Sequence, residues 1–107
     1  MQEKIKRVYV PMTETAFYIL FALQEERHGY DITQRTKAIT GGQVMISPGT
    51  MYGTLSKMEK DGLIVFVKEE DKRKFYRMTD VGREVLDTEL ARIERLYRNS
   101  KGDSYGN

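Results

Sequence analysis

The sequence predicts a mainly α-helical fold with a small β-hairpin, arranged as a winged helix-turn-helix followed by a long C-terminal helix. Three observations predict it. A well-capped helix spans Ser47 to Gly62, and two strand-like segments joined by a charged loop follow it directly. The chain then continues into a charged helix with a heptad-like apolar stripe. In such folds one helix enters the DNA major groove, and we expect the hairpin, called the wing, to meet the DNA backbone.

Length and composition limit the class of protein. A chain of 107 residues is expected to form one domain with a modest core. No apolar run approaches the ~20 residues of a membrane span, and no signal-peptide segment follows the basic N-terminus. The absence of cysteine agrees with a cytoplasmic location. Because the formal net charge is only +2, the distribution of charge has to decide whether nucleic acid is a partner.

The chain divides into four segments. They are a basic N-terminal arm (residues 1–12), a winged helix-turn-helix DNA-binding domain (13–79), a C-terminal dimerisation helix (80–98) and a flexible tail (99–107). The arm carries Lys4, Lys6 and Arg7, which either contact a DNA backbone or only make the terminus soluble.

The first predicted helix begins after Thr13, a good capping residue, and runs to Glu26. Its apolar positions recur at the spacing of a helix side that faces a core: Ala16, Ile19, Leu20 and Leu23. Phe17 and Phe21 add a second apolar row. A helix that is apolar over so wide an arc suggests that a partner subunit covers part of it.

A second helix is predicted over Tyr30–Ile39, with Ile32 and Ala38 facing inward. The short apolar run Val44–Ile46 is predicted to form one brief strand. His28 and Gly29 stand at the junction before this helix, where a lone histidine is expected to be structural rather than catalytic.

The third helix has a strong start signal, with Ser47 as N-cap and Pro48 at the first helical position. One side of it collects Met51, Tyr52, Leu55 and Met58, and the other collects Thr50, Gly53, Thr54, Lys57 and Asp61. Small hydroxyl side chains and a glycine allow a helix to lie deep in a groove and to bond base edges or phosphates. The alternative is that these threonines are ordinary surface residues.

Two strands are predicted over residues 63–68 and 74–79, with residues 69–73 as the wing tip. Lys72, Arg73 and Lys74 form the densest positive cluster, directly after three acidic residues. Because the two groups nearly cancel beyond ~10 Å, attraction to DNA would depend on short-range contacts. A hairpin that is merely solvated is the alternative.

These patterns predict a DNA-binding site and no catalytic or metal site. The predicted DNA contacts are Ser47, Thr50, Tyr52, Gly53, Thr54, Lys57, Lys72, Arg73 and Lys74. With one histidine, no cysteine, no glycine-rich phosphate loop and no nucleophile elbow, we expect neither an enzyme nor a bound cofactor.

Thr79 is predicted to cap the last helix, in which Leu86, Leu90, Ile93 and Tyr97 recur at steps of four, three and four. Val85 and Leu96 join this stripe, and charged residues, including Glu89, fill the gaps. The stripe is short but extends beyond the predicted winged domain.

Three groups of residues in order resemble the PadR family of bacterial transcriptional regulators. The resemblance rests on His28 to Ile32, on Gly49 to Ile64, and on Arg73 to Gly82, and it covers roughly residues 13–97. It implies a winged helix-turn-helix whose C-terminal helix exchanges between subunits of a homodimer. It also implies a repressor, often of detoxification, multidrug transport or stress genes, that a small molecule releases. Gly53 departs from the family, because many members carry proline there.

The resemblance also implies an interface between two copies of the chain. Its residues would be Phe17, Phe21, Leu86, Leu90, Ile93, Leu96 and Tyr97. Some short members bind flat aromatic drugs in an apolar cleft between these helices by stacking on tryptophan, which this chain lacks. Ile93 and Tyr97 could line such a cleft for a small aromatic or apolar effector, although we favour a plain dimer core.

The leading hypothesis is therefore a homodimeric, cytoplasmic repressor that binds a double-stranded operator. The alternative from another class is a winged-helix protein-interaction module with little affinity for DNA, which the near-neutral net charge would suit. The hydroxyl-rich start and small outer face of the third helix favour DNA binding.

Overall fold

Five helices and a small antiparallel sheet with strand order β1-β3-β2 make up residues 1–103, which are the residues that this computed structural model describes. The elements in chain order are α1 (Glu3–Tyr9), α2 (Glu14–Ala22), β1 (Arg27–His28), α3 (Gly29–Ile39), α4 (Pro48–Lys60), β2 (Ile64–Glu70), β3 (Arg73–Met78) and α5 (Asp80–Ser100). The predicted fold class, a mainly helical winged helix-turn-helix with a long C-terminal helix, is confirmed.

The helix starts follow the capping residues of the sequence. Thr13, Ser47 and Thr79 each accept a hydrogen bond from the backbone N–H three residues later. Pro48 occupies the start of α4, where its missing N–H leaves no donor unpaired. The helix after Thr13 ends earlier than predicted, at Ala22 instead of Glu26, because the chain turns at Leu23 and enters β1.

The core forms where α2, α3, α4 and α5 meet the base of the hairpin. It is built from side chains that are almost fully buried, among them Ile19, Leu20, Leu23, Ile32, Met51, Met58, Leu63, Val85 and Leu86. Burial of these apolar surfaces is the main favourable contribution to folding. It also fixes α4 by one side and leaves the opposite side of this helix exposed.

The wing consists of β2, β3 and the turn between them. Its register pairs Ile64 with Met78 at the base and Glu70 with Arg73 at the tip. Asp71 and Lys72 form the turn, and both have positive φ, 53° and 64°, as a two-residue type I′ hairpin requires. The predicted five-residue wing tip is thus a two-residue turn, since residues 69–70 and 73–74 pair as strand.

The N-terminal segment is a helix packed on the core, which corrects the prediction of a basic arm over residues 1–12. Helix α1 buries Ile5 and Tyr9, which lie four residues apart on one side. Its basic residues Lys4, Lys6 and Arg7 remain exposed. Two apolar contacts in so short a segment were too few to recognise as a helical pattern.

Two further local predictions were wrong. Val44–Ile46 is not a strand. The third strand of the sheet is instead β1, which pairs Arg27 with Tyr76 and His28 with Phe75 of β3. Val44 and Ile46 are nevertheless buried, and the Val44 N–H donates to Thr40 Oγ1 at 3.0 Å, so packing and this hydrogen bond hold the segment without strand pairing.

On α3, the residue that faces inward with Ile32 is Thr36, and Ala38 is exposed. A residue four positions from Ile32 lies on the same helix side, whereas one six positions away does not.

Helix α5 differs from its prediction in length and in burial. It extends through Ser100, so the first residues of the predicted 99–107 tail are helical, and residues 104–107 lie outside the described residues. Leu86, which we expected at a subunit interface, is fully buried within the single chain and belongs to its core. The apolar stripe of α5 therefore has two environments. Its first part, to Leu86, packs into the core, and only the part from Leu90 onward is exposed.

Glu89 is buried, with only 1% of its surface exposed, although it stands among the charged residues predicted to face solvent. Its Oε1 accepts a hydrogen bond from the backbone N–H of Met12 at 3.1 Å. Its Oε2 accepts from Arg92 Nη2 at 2.6 Å and from Arg92 Nε at 3.0 Å. With these partners the buried carboxylate is fully satisfied, and it joins α5 to the turn between α1 and α2.

A backbone junction joins the end of α4, the wing and the start of α5. The N–H of Thr79 donates to the Leu63 carbonyl at 3.0 Å, and the Thr79 hydroxyl donates to the Gly62 carbonyl at 2.6 Å. The N–H of Met78 donates to the Leu23 carbonyl at 2.7 Å. Gly82 lies directly against the Leu63 carbonyl, so a side chain at this position would overlap backbone.

We expect Gly82→Ala to destabilise the protein by about 3 kcal/mol or more, because the added Cβ would overlap the Leu63 carbonyl and lie 2.7 Å from Met78 Cγ. Gly53→Ala is the matched control, since a Cβ there meets nothing within 4 Å. In the middle of α4 it should stabilise by about 0.5–1 kcal/mol. Urea unfolding at one protein concentration measures both. Equal stability of Gly82→Ala and the wild type would contradict the close approach.

Candidate nucleic-acid interface

The side of α4 opposite the core carries small side chains and is largely exposed. Met51, Leu55 and Met58 are buried, whereas Thr50 and Gly53 are exposed and Thr54 is half-buried. A Cβ added to Gly53 or Gly49 would meet no atom within 4 Å, so the space directly over these two glycines is open. The same face forms one wall of a cavity of about 460 Å³ that α1 and the turn after it also line, through Val8, Tyr9 and Pro11. A helix with such a surface can approach the floor of a groove about 12 Å wide more closely than one that carries long side chains.

The N-terminus of α4 is free of negative charge. Its first turn has no acidic residue, and the Ser47 hydroxyl donates to Thr50 Oγ1 at 3.0 Å while accepting from the Thr50 N–H at 3.2 Å. These two hydroxyls are therefore oriented by each other. The positive end of the helix dipole lies beside them, which is favourable for a phosphate group.

Lys57, a predicted DNA contact, forms an ion pair at the end of its own helix and also lies against a tyrosine of α1. Its Nζ lies 3.3 Å from Asp61 Oδ2 and 5.5 Å from the centre of the Tyr9 ring. The Tyr9 hydroxyl donates to the same Asp61 oxygen at 2.7 Å. This hydrogen bond is the main reason that the pKa of Asp61 is lowered, and burial together with Asp61 raises the pKa of Tyr9. Lys57 thus lies at the edge of the exposed face of α4 with its charge already paired.

The cations at the tip of the wing form fewer ion pairs than the neighbouring acidic residues led us to expect. Lys68 Nζ lies 3.1 Å from Glu70 and 3.5 Å from Glu26, and the hydrogen bond and charge of Glu70 raise the pKa of Lys68. Glu70 of the wing is therefore paired with Lys68 rather than with the cations of the wing tip. Within residues 1–103, Lys72, Arg73 and Lys74 form no ion pair within 4 Å. All three are exposed and available to an external anion.

A cavity of about 350 Å³ lies between α4 and the wing. Its lining includes Tyr52 and Leu55 from α4, His28 and Tyr30 from the β1–α3 junction, and Lys72, Arg73 and Lys74 from the wing. Tyr52, which the sequence pattern grouped with the apolar side of α4, is instead 62% exposed. The cavity shows that Tyr52 of α4 and the basic tip of the wing lie next to each other. Four of the nine predicted DNA contacts line it, whereas Thr50, Gly53, Thr54 and Lys57 line a second cavity, of about 460 Å³, between α4 and the segment around α1.

His28 and Tyr30 also line the cavity between α4 and the wing, although the sequence pattern did not predict them as DNA contacts. His28 also caps α3, since its Nδ1 accepts from the Asp31 N–H at 3.2 Å, which agrees with the expected structural role. Only the pairing of β1 with β3 brings this histidine to the wing. The adjacent residues His28, Gly29 and Tyr30 alone do not indicate that contact.

An apolar face remains exposed on α2 and α5. We call it the α2–α5 face. Its residues are Phe21, Leu90, Ile93, Leu96 and Tyr97, which are exposed, and Phe17, which is half-buried and packs partly against the core. Phe17 and Phe21 stack with ring centroids 5.9 Å apart, and Leu96 and Tyr97 are at least half exposed. Large exposed apolar side chains on neighbouring helices are typical of a protein contact.

Two other kinds of feature do not occur among residues 1–103. No three His, Cys, Asp or Glu side chains in this range lie together in a group that could hold a metal ion. None of the helices described is both long enough and apolar enough to cross a membrane.

Comparison with known proteins identifies the family. Residues 19–88, which include the exposed face of α4 and the whole wing, match the model of the transcriptional regulator PadR-like family. The chain belongs to this PadR-like family of transcriptional regulators. The resemblance noted from the sequence is therefore confirmed.

Two curated relatives illustrate the range of the PadR-like family. This chain is 36% identical over 84 residues to the transcriptional regulator Rv3488 of Mycobacterium tuberculosis, a match that covers 76% of each protein. It is 26% identical over 83 residues to the transcriptional regulator YqjI of Escherichia coli. That second match covers 78% of this chain but only 40% of YqjI, so the chain corresponds to about two fifths of that protein's length.

Solved structures agree with the fold. A transcriptional regulator from Clostridium thermocellum superposes with a TM-score of 0.71 at 22% identity, over 100% of this chain and 99% of that one. The PadR protein of Bacillus subtilis, solved in complex with operator DNA, superposes with a TM-score of 0.65 at 29% identity. That match covers 73% of this chain and 47% of the Bacillus protein.

We expect the Tyr9–Asp61 hydrogen bond to give a characteristic pH dependence of stability. Tyr9→Phe should lower the free energy of unfolding by about 1–2 kcal/mol near neutral pH. The raised pKa of Tyr9 contributes stability below pH ~10, and this contribution is lost as the pH rises above that value. The lowered pKa of Asp61 contributes above pH ~4 and is lost as the pH falls below it.

The difference between wild type and Tyr9→Phe should accordingly be constant between about pH 5 and 9 and become smaller on both sides. Urea unfolding across this pH range measures it. Tyr52→Phe is the control, because Tyr52 is exposed and should show no difference at any pH. A difference between wild type and Tyr9→Phe that does not change with pH would mean that the hydroxyl does not bond to a carboxylate.

Proposed function

We propose that this PadR-like chain is a homodimeric, sequence-specific DNA-binding regulator that represses transcription and is released by a small aromatic or apolar effector. The observation that carries the proposal is that α4 exposes a face of small residues beside a basic wing. Thr50, Gly53 and Thr54 belong to this face, and the three cations of the wing tip lack a carboxylate partner within the described chain. The operator complex of the Bacillus subtilis PadR protein supports the same use of this fold.

The two parts of the candidate interface would have different roles. Thr50 and Thr54 would contact base edges from within the major groove, and so determine sequence preference. Ser47, Lys57, Tyr52 and the wing cations would contact phosphates and sugars, which position the protein and make binding sensitive to salt. Lys57 would have to exchange its Asp61 partner for a phosphate, so we expect it to contribute less than the wing.

The α2–α5 face supports the homodimer of this proposal. A second copy would cover this face, and the two α4 helices would then enter the major groove at half-sites about one helical turn apart. An effector that binds between the two subunits, at Ile93 and Tyr97, would alter the spacing of these helices and thereby release DNA.

We expect Lys72→Ala, Arg73→Ala and Lys74→Ala together to weaken binding to all DNA sequences alike. The slope of log K against log salt should become less steep by about one for each phosphate that the wing no longer neutralises. Thr50→Ala with Thr54→Ala should change the preferred sequence instead. Fluorescence anisotropy measures both effects on a duplex that the wild type selects from a random library and on a scrambled duplex, at several salt concentrations.

Arg95→Ala, Arg98→Ala and Lys101→Ala together form the matched control, because they remove the same charge from the far end of α5. Wing variants that bind as tightly as this control would contradict the role of the wing. If the wild type selects no duplex even at low salt, DNA binding is wrong and the chain is better regarded as a protein-interaction module.

The dimer has its own test. Ile93→Glu with Leu96→Glu should convert a wild-type dimer into a monomer, because two charges would then face the apolar surface of the partner. Sedimentation equilibrium gives the mass directly. Met45→Glu is the control, since Met45 is an apolar residue that is 68% exposed and lies outside the α2–α5 face. A wild-type monomer at micromolar concentration, or a dimeric double variant, would exclude this interface.

A further inference from the structure

We propose that His28 and Arg73, with Tyr30 beneath the arginine, form a binding site for one phosphodiester of the DNA backbone. We call it the His28–Arg73 site. It rests on the proposed DNA-binding function, to which it adds two residues outside the wing and α4, His28 and Tyr30. It also assigns a binding role to a histidine whose evident role is to cap a helix.

The pairing of β1 with β3 brings the side chains of His28 and Arg73 together. His28 in β1 is opposite Phe75 of β3, and the two rings meet edge to face with centroids 5.0 Å apart. Arg73, at the start of β3, extends toward the same ring, so that its Nη1 lies 3.4 Å from His28 Nε2. The arginine guanidinium lies 5.3 Å from the centre of the Tyr30 ring, which itself stacks on the His28 ring at 6.5 Å.

The capping hydrogen bond determines which histidine nitrogen carries the proton. Because the Asp31 N–H donates to His28 Nδ1, that nitrogen must have a free lone pair. In the neutral imidazole the proton is then on Nε2, the nitrogen that faces Arg73. An arginine guanidinium has only donors. Two donors therefore lie 3.4 Å apart and cannot satisfy each other.

An anionic oxygen is the group that this arrangement lacks. An oxygen about 2.9 Å from both nitrogens would accept from Nε2–H and from the guanidinium at once. The carboxylates on either side of His28 in the sequence are engaged elsewhere, because Asp31 Oδ2 accepts from Arg27 at 3.0 Å and Glu26 lies 3.5 Å from Lys68 Nζ. Among the described residues no carboxylate lies within 4 Å of the Arg73 nitrogens.

The surroundings favour a backbone phosphate over other anions. The two groups line the cavity between α4 and the wing, together with Lys72, Lys74 and the exposed Tyr52. A DNA strand that leaves the groove read by α4 and passes under the wing would cross this cavity. A phosphodiester offers two unesterified oxygens, so one can bond the histidine and arginine while the other meets a lysine or a tyrosine hydroxyl.

His28→Asn separates the two functions of the histidine. Asparagine is among the best N-cap residues, so α3 should keep its start, but the donor that faces Arg73 is removed. We expect binding to the selected duplex and to a scrambled duplex to weaken by about tenfold, with an almost unchanged salt slope, because no cation is removed. Arg73→Gln should weaken both as well, and it should also reduce the salt slope.

Neutral backbone linkages locate the contact. Replacing single phosphates of the duplex by methylphosphonates should reveal one linkage in each half-site at which wild-type binding weakens and His28→Asn binding weakens much less, because the interaction is already absent. Arg73→Gln should show the same loss of sensitivity at the same linkage. This second variant keeps the test valid if His28→Asn fails to fold, which circular dichroism and thermal unfolding would reveal.

The outcomes separate this site from the function on which it depends. If the wild type selects and binds a duplex but His28→Asn binds equally well, the His28–Arg73 site is wrong and DNA binding stands. The site is also wrong if His28→Asn and every neutral linkage weaken binding additively. If the wild type selects no duplex at all, the proposed function fails and this site fails with it.

Discussion

The contact of Gly82 with the Leu63 carbonyl, and the hydrogen bonds beside it, hold together the three parts of the molecule that function requires. Gly62, with φ of +82°, ends α4, and its carbonyl accepts from the Thr79 hydroxyl that also caps α5. The wing begins and ends at the same point, since Ile64 pairs with Met78. The end of α4, the base of the wing and the start of α5 are thus joined through backbone. Backbone contacts of this kind leave little freedom, so the angle between α4 and the long helix is set here.

Two carboxylates complete the structure from the N-terminal side. Asp61 accepts from Tyr9 of α1 and Glu89 accepts from the Met12 N–H, so α1 and the turn after it are tied to α4 and to α5. Each carboxylate also has a cation as partner, Lys57 or Arg92, which keeps its charge compatible with burial. The N-terminal helix is therefore part of the scaffold that supports the candidate interface. It is not an independent extension that could wrap around DNA.

The distribution of charge, more than its total, supports DNA binding. A net charge of +2 is small, yet Lys68 is paired with Glu26 and Glu70, and Arg27 with Asp31 and Glu25. These pairs engage four carboxylates with Lys68 and Arg27 and leave Lys72, Arg73 and Lys74 without carboxylate partners among the described residues. The three cations of the wing tip are therefore available to an external anion. Short-range contacts dominate there, because screening removes the rest.

The sequence by itself determined the starts of α2, α4 and α5, the hairpin, the buried positions Met51, Leu55 and Met58 of α4, and the family. Caps such as Ser47 and Thr79 act within three residues, and the alternation of buried and exposed positions on α4 repeats within two turns, so both can be read locally. Only the tertiary structure decided that Ile5 and Tyr9 pack, that Glu89 is buried while Leu90 is exposed, and that Leu86 belongs to the core of one chain. Only it brought His28 to Arg73. These features depend on which element, distant in the sequence, packs over a residue. The local sequence pattern of a short or highly charged segment is the same whether or not another element covers it, so such burial cannot be predicted from the segment alone.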